Sequence, residues 1–252
     1  MEIRLEQVAK VYPGGHVAVD GVSLVIPAGS TLCLLGTSGC GKTTTLKMIN
    51  RLESPTAGRV LLGGVDVSER DPIELRREVG YVIQGGGLFP HMDVATNVGL
   101  VGKLSGWDRP RIGARVDELL DLVKLPPATY ARRYPSELSG GQRQRVGVAR
   151  ALMAEPRVIL MDEPFGALDP LTRHELQDDL IALRRRLQKT IVFVTHDLGE
   201  ALRMADAIAL MDGGKLVQAG SAADLWERPA TPFVQRFVSA QATPVPGAEK
   251  RA

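Results

Sequence analysis

The chain has 252 residues with 31 basic and 29 acidic side chains, a net charge of +2 and a hydrophobic content of 44%. That length allows one large α/β domain with an ample core, and the near-neutral balance gives no electrostatic reason to expect nucleic acid as the main partner. No apolar run approaches the roughly 18 residues that cross a bilayer, and Met1–Glu6 lacks the charged and apolar regions of a signal peptide, so work at a membrane would need another chain to do the spanning.

From the N-terminus, Ile3–Val8, Val17–Ile26 and Leu32–Leu35 read as strands, with Tyr12-Pro13-Gly14-Gly15 as a turn. Gly36-Thr37-Ser38-Gly39-Cys40-Gly41-Lys42-Thr43 follows, and Thr44–Ile49 behind it suits a helix. Strand, glycine loop and helix form the context that G-x-x-x-x-G-K-[ST] requires to cradle phosphate. Glycines let successive N–H groups turn inward onto phosphate oxygens, where the helix adds the positive end of its dipole. Lys42 is expected to reach the β and γ phosphates, and the Thr43 hydroxyl to ligate Mg²⁺. The two cysteines, Cys33 on the strand and Cys40 in the loop, argue against a structural disulfide and for a reducing cytosol.

Arg59–Val67 reads as a hairpin, Asp71-Pro72 as the N-cap and first residue of a short helix, and Val79–Ile83 as a strand. Between Gln84 and about Arg157 apolar residues recur at helical spacing, as in Ile112, Val116, Leu119, Leu120 and Val123, which marks a helical insertion. Strands and helices then alternate: Val158–Met161, Leu171–Leu187, Thr190–Thr195, Leu198–Met204 and Ala207–Met211. This order argues for a parallel sheet covered on both faces. Arg184-Arg185-Arg186 reads as a solvated helix face, and Ala240–Ala252, with Pro244, Pro246 and Gly247, as a loose tail.

Three strands end in chemistry. Val158–Met161 runs into Asp162-Glu163, where Asp162 suits the Mg²⁺ shell and Glu163 suits polarising a water for attack on a phosphate. Ile191–Thr195 runs into His196, a candidate donor and sensor at the γ phosphate. Val79–Ile83 runs into Gln84, whose amide could ligate the metal or the water and act as a hinge to the insertion. Leu138-Ser139-Gly140-Gly141-Gln142 opens a helix that Ser139 caps, and its two glycines expose N–H groups that make a second anion site.

With these residues together, residues 1 to about 238 resemble the ATP-binding subunit of ATP-binding cassette transporters, whose signature sequence is Leu-Ser-Gly-Gly-Gln. The phosphate loop, Gln84, Asp162-Glu163, Ala167-Leu168-Asp169 and His196 stand in that family's order. The resemblance implies an α/β fold: a RecA-like P-loop NTPase core, an N-terminal antiparallel β-subdomain, and an α-helical signature subdomain inserted at about 88–156. It implies one ATP-binding domain over 1–238 and a flexible tail over 239–252, with no C-terminal regulatory domains of the CBS type. It also implies a head-to-tail dimer in which each ATP lies between Gly36–Thr44 of one copy and the Ser139–Gln142 signature of the other. Tyr12 is the residue that would stack on adenine, and Asp169 and Thr44 would complete the nucleotide site. An alkylating reagent at Cys40 is then expected to be blocked by ATP.

Asp162–Pro170 and Leu88-Phe89-Pro90 look like importers within that family, and Gly39–Leu52 with Val79–Gln84 looks like the quaternary-amine group. The implied activity is ATP hydrolysis driving uptake of glycine betaine, choline, carnitine or proline betaine. The implied partners are a separate permease, on which the exposed Leu88–Pro90 segment would press, and an external substrate-binding protein. The chain would lie peripherally on the cytoplasmic face of the membrane. Gly85-Gly86-Gly87 is unusually bare for this family and is expected to loosen the loop after Gln84. Importers of another small solute, such as an amino acid or a sulfonate, remain alternatives, as does a soluble ATPase acting on DNA or ribosomes. Against the last, only 53 residues separate Gln84 from Leu138, too few for the long coiled-coil insertions of chromosome and repair members.

Overall fold

The computed structural model describes residues 1–166 and 168–241. Strands β1 (Ile3–Val11), β2 (Val17–Ile26) and β3 (Thr31–Gly36) lead into helix α1 (Lys42–Ile49). Next come β4 (Ala57–Leu62), β5 (Val65–Asp66), α2 (Pro72–Glu78) and β6 (Val79–Val82), then four helices, α3 (Val94–Leu104), α4 (Arg109–Leu122), α5 (Pro127–Tyr130) and α6 (Gly140–Leu152). The chain continues through β7 (Val158–Asp162), α7 (Pro170–Leu187), β8 (Thr190–Thr195), α8 (Leu198–Met204), β9 (Ala207–Asp212), β10 (Lys215–Gly220), α9 (Ala222–Glu227) and α10 (Pro232–Gln241).

Two sheets form. One is antiparallel, in the order β2-β1-β4-β5; the other has the order β10-β9-β3-β8-β7-β6 and is parallel except for the edge strand β10. Every residue of β3, β7 and β8 is buried, the mark of strands covered on both faces. Because side chains alternate across a strand, each face builds its own core. Leu32, Leu34, Val158, Leu160, Val192 and Val194 pack towards α1 and the antiparallel sheet. Cys33, Leu35, Ile159, Met161, Ile191 and Phe193 face the other way, into the cluster that holds Val98, Leu119 and Val146 of the insertion. The insertion therefore has no separate core: it is an extension of one face of the parallel sheet.

Asp71 caps α2 by accepting from Ile73 N and Glu74 N at 2.9 Å each, with Pro72 in the first turn as expected. At the other end, α10 runs through Gln241, so an ordered helix replaces the loose chain expected from 239. Two features hold it: Val234 and Val238 are buried, and Gln241 Oε1 accepts from Leu198 N at 2.7 Å. Residues 242–252, Ala167, and the side chains of Arg185 and Arg186 lie outside the described residues, and with them the rest of the expected tail and of the arginine face.

Candidate functional site

Parallel strands deliver their C-terminal ends to one edge of the sheet, and the loops after β3, β7 and β8 meet there. The loop after β3 closes tightly at Gly41, which has φ +98° and would bring a Cβ to 2.2 Å from the Ala18 carbonyl oxygen, so only glycine fits. A cleft of about 270 Å³ opens beside it, lined by Tyr12, Ser38, Gly39, Lys42, Thr43 and Glu163 among others. Lys42 is buried, and its Nζ donates to the carbonyls of Gly36 at 2.8 Å and Thr37 at 2.7 Å. The cation is thus held by its own loop, at the place where the sequence puts it on phosphate.

Thr43 Oγ1 donates to Asp162 Oδ1 at 2.8 Å, which joins the two residues expected to share a metal. Tyr81, which the sequence reading missed, donates to Asp162 Oδ2 at 3.3 Å, and burial together with that carboxylate raises its phenol well above the ordinary value. Glu163 follows with φ +43°, an uncommon conformation for a side-chain-bearing residue, fixed by its N–H donating to Val194 O at 3.1 Å. Gln84 Nε2 donates to Glu163 Oε2 at 3.1 Å, and His196 Nδ1 lies 3.7 Å from Glu163 Oε1. Gln84 therefore engages the carboxylate rather than the Thr43–Asp162 pair. It also sits in a 3-10 turn beyond the strand, which stops at Val82.

Tyr12 stands at the cleft's far wall, its hydroxyl 3.5 Å from Thr44 Oγ1 and its ring stacked on His16 with centroids 6.5 Å apart. His16 is a second residue that the sequence reading passed over; its place in a turn gave no signal. Cys40 does not face the cleft as expected. Its thiol is buried in the core under α1, 3% exposed, and burial raises its pKa, although Lys42 partly opposes the shift. Its N–H can face a phosphate, but its sulfur faces inward, so protection from alkylation by ATP is no longer expected.

Four other expectations fare differently. Ser139 caps α6 as predicted, accepting from Gln142 N at 3.2 Å while Gln142 Oε1 accepts from Ser139 N at 2.9 Å, and Gly140 and Gly141 form the first turn. No hydrogen bond among the described residues joins this stretch to the phosphate loop. Asp169 caps α7 through Thr172 N at 3.1 Å, and hydrogen bonding from the Thr172 side chain and then its N–H lowers the Asp169 carboxyl pKa. The Gly85–Gly87 turn is not loose. Gly86, at φ +83°, presses on the Arg143 backbone, where a Cβ would meet the carbonyl at 2.8 Å, and Arg150 donates to the carbonyls of Gly86 and Gly87 at 2.9 Å each. Leu88 packs onto the core, so of the expected apolar segment Phe89 and Pro90 are the exposed part.

Residues 19–166, more than half the chain, match the family model described as ABC transporter. The chain is 54% identical over 236 residues to the glycine betaine/carnitine/choline transport ATP-binding protein OpuCA of Bacillus subtilis, covering 94% of this chain and 62% of that protein. It therefore spans about three fifths of the length of that relative. It is 50% identical to the glycine betaine uptake system ATP-binding protein YehX of Escherichia coli, covering 93% of this chain and 76% of that protein. Among solved structures, the ATP-binding cassette MJ0796, a dimer in a post-hydrolysis state bound to ADP and Pi, superposes with a TM-score of 0.78 at 32% identity, covering 87% of this chain and 98% of that one. On the strength of the family match and of these relatives, the chain belongs to the ABC transporter ATP-binding family.

Proposed function

We propose that this chain is the ATP-hydrolysing motor of an importer for quaternary amines such as glycine betaine, choline, carnitine or proline betaine. The observation that carries it is the convergence on Glu163 of Gln84 and His196, beside the Thr43–Asp162 pair and the phosphate loop. The names of OpuCA and YehX support the cargo. The site fits its ligands: a glycine-lined cleft of about 270 Å³ suits the phosphates of ATP, and a hydroxyl and a carboxylate are the hard oxygen donors Mg²⁺ prefers. Thr43 and Asp162 would hold the metal; Gln84 donates through Nε2 to Glu163 and would offer the metal only its amide oxygen. Bound there, Mg²⁺ offsets negative charge on the phosphates.

The chain's own residues do the rest. Lys42 exchanges the Gly36 and Thr37 carbonyls for phosphate oxygens, a swap of one set of acceptors for a charged one. Tyr12 offers its ring to the adenine. Glu163 takes a proton from the attacking water, Gln84 fixes its carboxylate, and His196 donates to the γ phosphate. Ser139, Gly140, Gly141 and Gln142, which do not line that cleft, bind the phosphates held by a second copy, together with Asp169. The dimeric cassette MJ0796 supports such a pairing.

We place the ATP-binding domain at 1–238 with the helical insertion at about 88–156. No helix among the described residues is long and apolar enough to cross a membrane; the names of the transport relatives support a separate permease, with this chain working peripherally at its cytoplasmic face. A groove of about 350 Å³ between α2, β6 and α3 is lined by Leu52, Tyr81, Ile83, Phe89, Leu100 and Val101, and it suits an apolar helix of that permease. The test is to purify the chain with its permease and binding protein and measure ATP hydrolysis with each solute. Stimulation by glycine betaine or choline is expected. Stimulation by an amino acid alone would reject the cargo and keep the motor.

A further inference from the structure

His196 lies beside Glu163, and the loop that carries it is fixed by the residues around it. His196 is mostly exposed, with 63% of its side chain accessible. Its neighbours are not. Thr195 Oγ1 donates to Glu200 Oε2 at 2.5 Å, Asp197 N donates to Thr195 Oγ1 at 3.1 Å, and Glu200 N donates to Asp197 Oδ1 at 3.2 Å. These bonds form a ring around the backbone of residue 196. Glu200 is buried, 5% exposed, and that burial raises its carboxyl pKa. A buried carboxylate with one hydroxyl partner calls for a cation, and the cation comes from a different element.

Arg173, in the first turn of α7, supplies it. Its Nε lies 3.8 Å from Glu200 Oε1, its Nη1 lies 3.6 Å from Asp197 Oδ2, and its Nη2 donates to the Leu168 carbonyl at 3.3 Å. One guanidinium therefore spans the turn before α7 and both carboxylates of the ring. The preceding residue reaches the other way: a Cβ at Gly141 would lie 2.3 Å from Thr172 Cγ2, so this turn of α7 rests directly on the first turn of the signature helix α6. Thr172 and Arg173 thus join two places that the hydrolysis reading assigns to different nucleotides.

We propose that Arg173 is a positioning residue that holds the His196 loop in register with the first turn of α7, and so ties His196, facing this copy's nucleotide, to Gly141, facing the partner copy's. The assignment rests on the hydrolysis reading. A displacement of the signature end reaches α7 through Thr172, and Arg173 passes it to Asp197 and Glu200. The planar fork suits the task because it hydrogen-bonds the Leu168 carbonyl while lying within ion-pair distance of both carboxylates, which a lysine ammonium cannot do in the same geometry.

The experiment measures steady-state ATP hydrolysis by the full chain as wild type, Arg173→Ala, Arg173→Lys, Glu200→Gln and the Arg173→Ala/Glu200→Gln double variant. ATP affinity and melting temperature are followed in each. Arg173→Ala is expected to lower kcat about tenfold with KM for ATP changed less than about twofold, the pattern of a group that acts in the transition state rather than in binding. Lysine should recover part of the loss, and Glu200→Gln in the alanine background should recover more, because the carboxylate left without its cation is gone. A wild type that binds ATP but does not hydrolyse it overturns the hydrolysis reading and this assignment with it. An active wild type whose Arg173→Ala variant keeps its kcat overturns the assignment alone, as does a loss that tracks melting temperature and that neither lysine nor Glu200→Gln repairs.

Discussion

The two stretches marked for phosphate are built in opposite ways. Gly36–Thr44 hangs from β3, buried on both faces, and meets His196 from the end of the adjacent β8 and Asp162 and Glu163 from the end of β7 beyond it. Ser139–Gln142 sits at a helix tip, closed by its own capping box and steadied by Gln142 Nε2 donating to the Tyr130 hydroxyl at 3.2 Å. The first end brings acids, an amide and an imidazole together and can do chemistry. The second presents N–H groups and a hydroxyl without a base and can only bind. In the proposed dimer the two ends that meet one nucleotide come from different molecules, and the dimeric cassette MJ0796 supports that pairing.

The largest effect should come from the end that does chemistry. Glu163→Gln keeps the shape of the side chain and removes its basicity, so kcat should fall by roughly 10² to 10⁴ while ATP still binds and drives dimers that persist. Size-exclusion chromatography beside a phosphate-release assay checks both, and brisk turnover would take Glu163 out of its role. Lys42→Ala should come next. Losing a charged donor to phosphate weakens ATP binding by about 10- to 100-fold, readable by fluorescence titration, and unchanged affinity would count against the cradle.

Ser139→Ala tests the opposite end. Loss of the cap costs about 1 kcal/mol of stability, which a denaturant titration reads. ATP should bind the single chain as before, whereas ATP-driven dimerisation in the Glu163→Gln background should weaken about fivefold, a loss in line with one hydrogen bond. If single-chain affinity fell instead, the distinction between the two ends would fail.

How far the sequence revealed this layout depended on the kind of constraint. β8 and α8 were readable residue for residue, because Thr190–Thr195 is a continuous run buried on both faces and Asp197 caps the helix behind it. β10 gave no signal: it is a half-buried antiparallel edge strand without a clean alternation, and α9 opens on a capping box closed by Asp224 rather than Glu or Gln. The meeting of Glu163, Asp162 and Thr43 at one edge of the sheet was legible, because each sits in a motif at the end of a strand. Tyr81 was not. Its hydroxyl reaches Asp162 because β6 lies parallel to β7 with Val82 opposite Met161, a register set by strands far apart in sequence. The glycines after Gln84 misled in the other direction. Bareness suggested slack, yet their lack of side chains is what lets the Gly86 turn lie against α6.

The smallest effect sharpens the contrast from inside the rigid end. Cys40 lies within the phosphate loop, but its sulfur is packed beneath α1 with Lys42 Nζ 3.8 Å away. Burial raises the thiol pKa, with Lys42 only partly opposing it. The folded state thus holds the proton more tightly than the unfolded chain. That contribution to stability is complete below the ordinary thiol range and is lost as pH rises through the raised value. Maleimide labelling near neutral pH should therefore be slow, and saturating ATP should change its rate by less than about twofold, since thiolate fraction and access both govern reaction. Unfolding in urea should release both Cys33 and Cys40 to rapid labelling, with ATP retarding that release only through its effect on stability. Fast labelling of the folded chain that ATP abolishes would mean that the thiol faces the cleft, and that this half of the site is less firmly anchored than its buried strand requires.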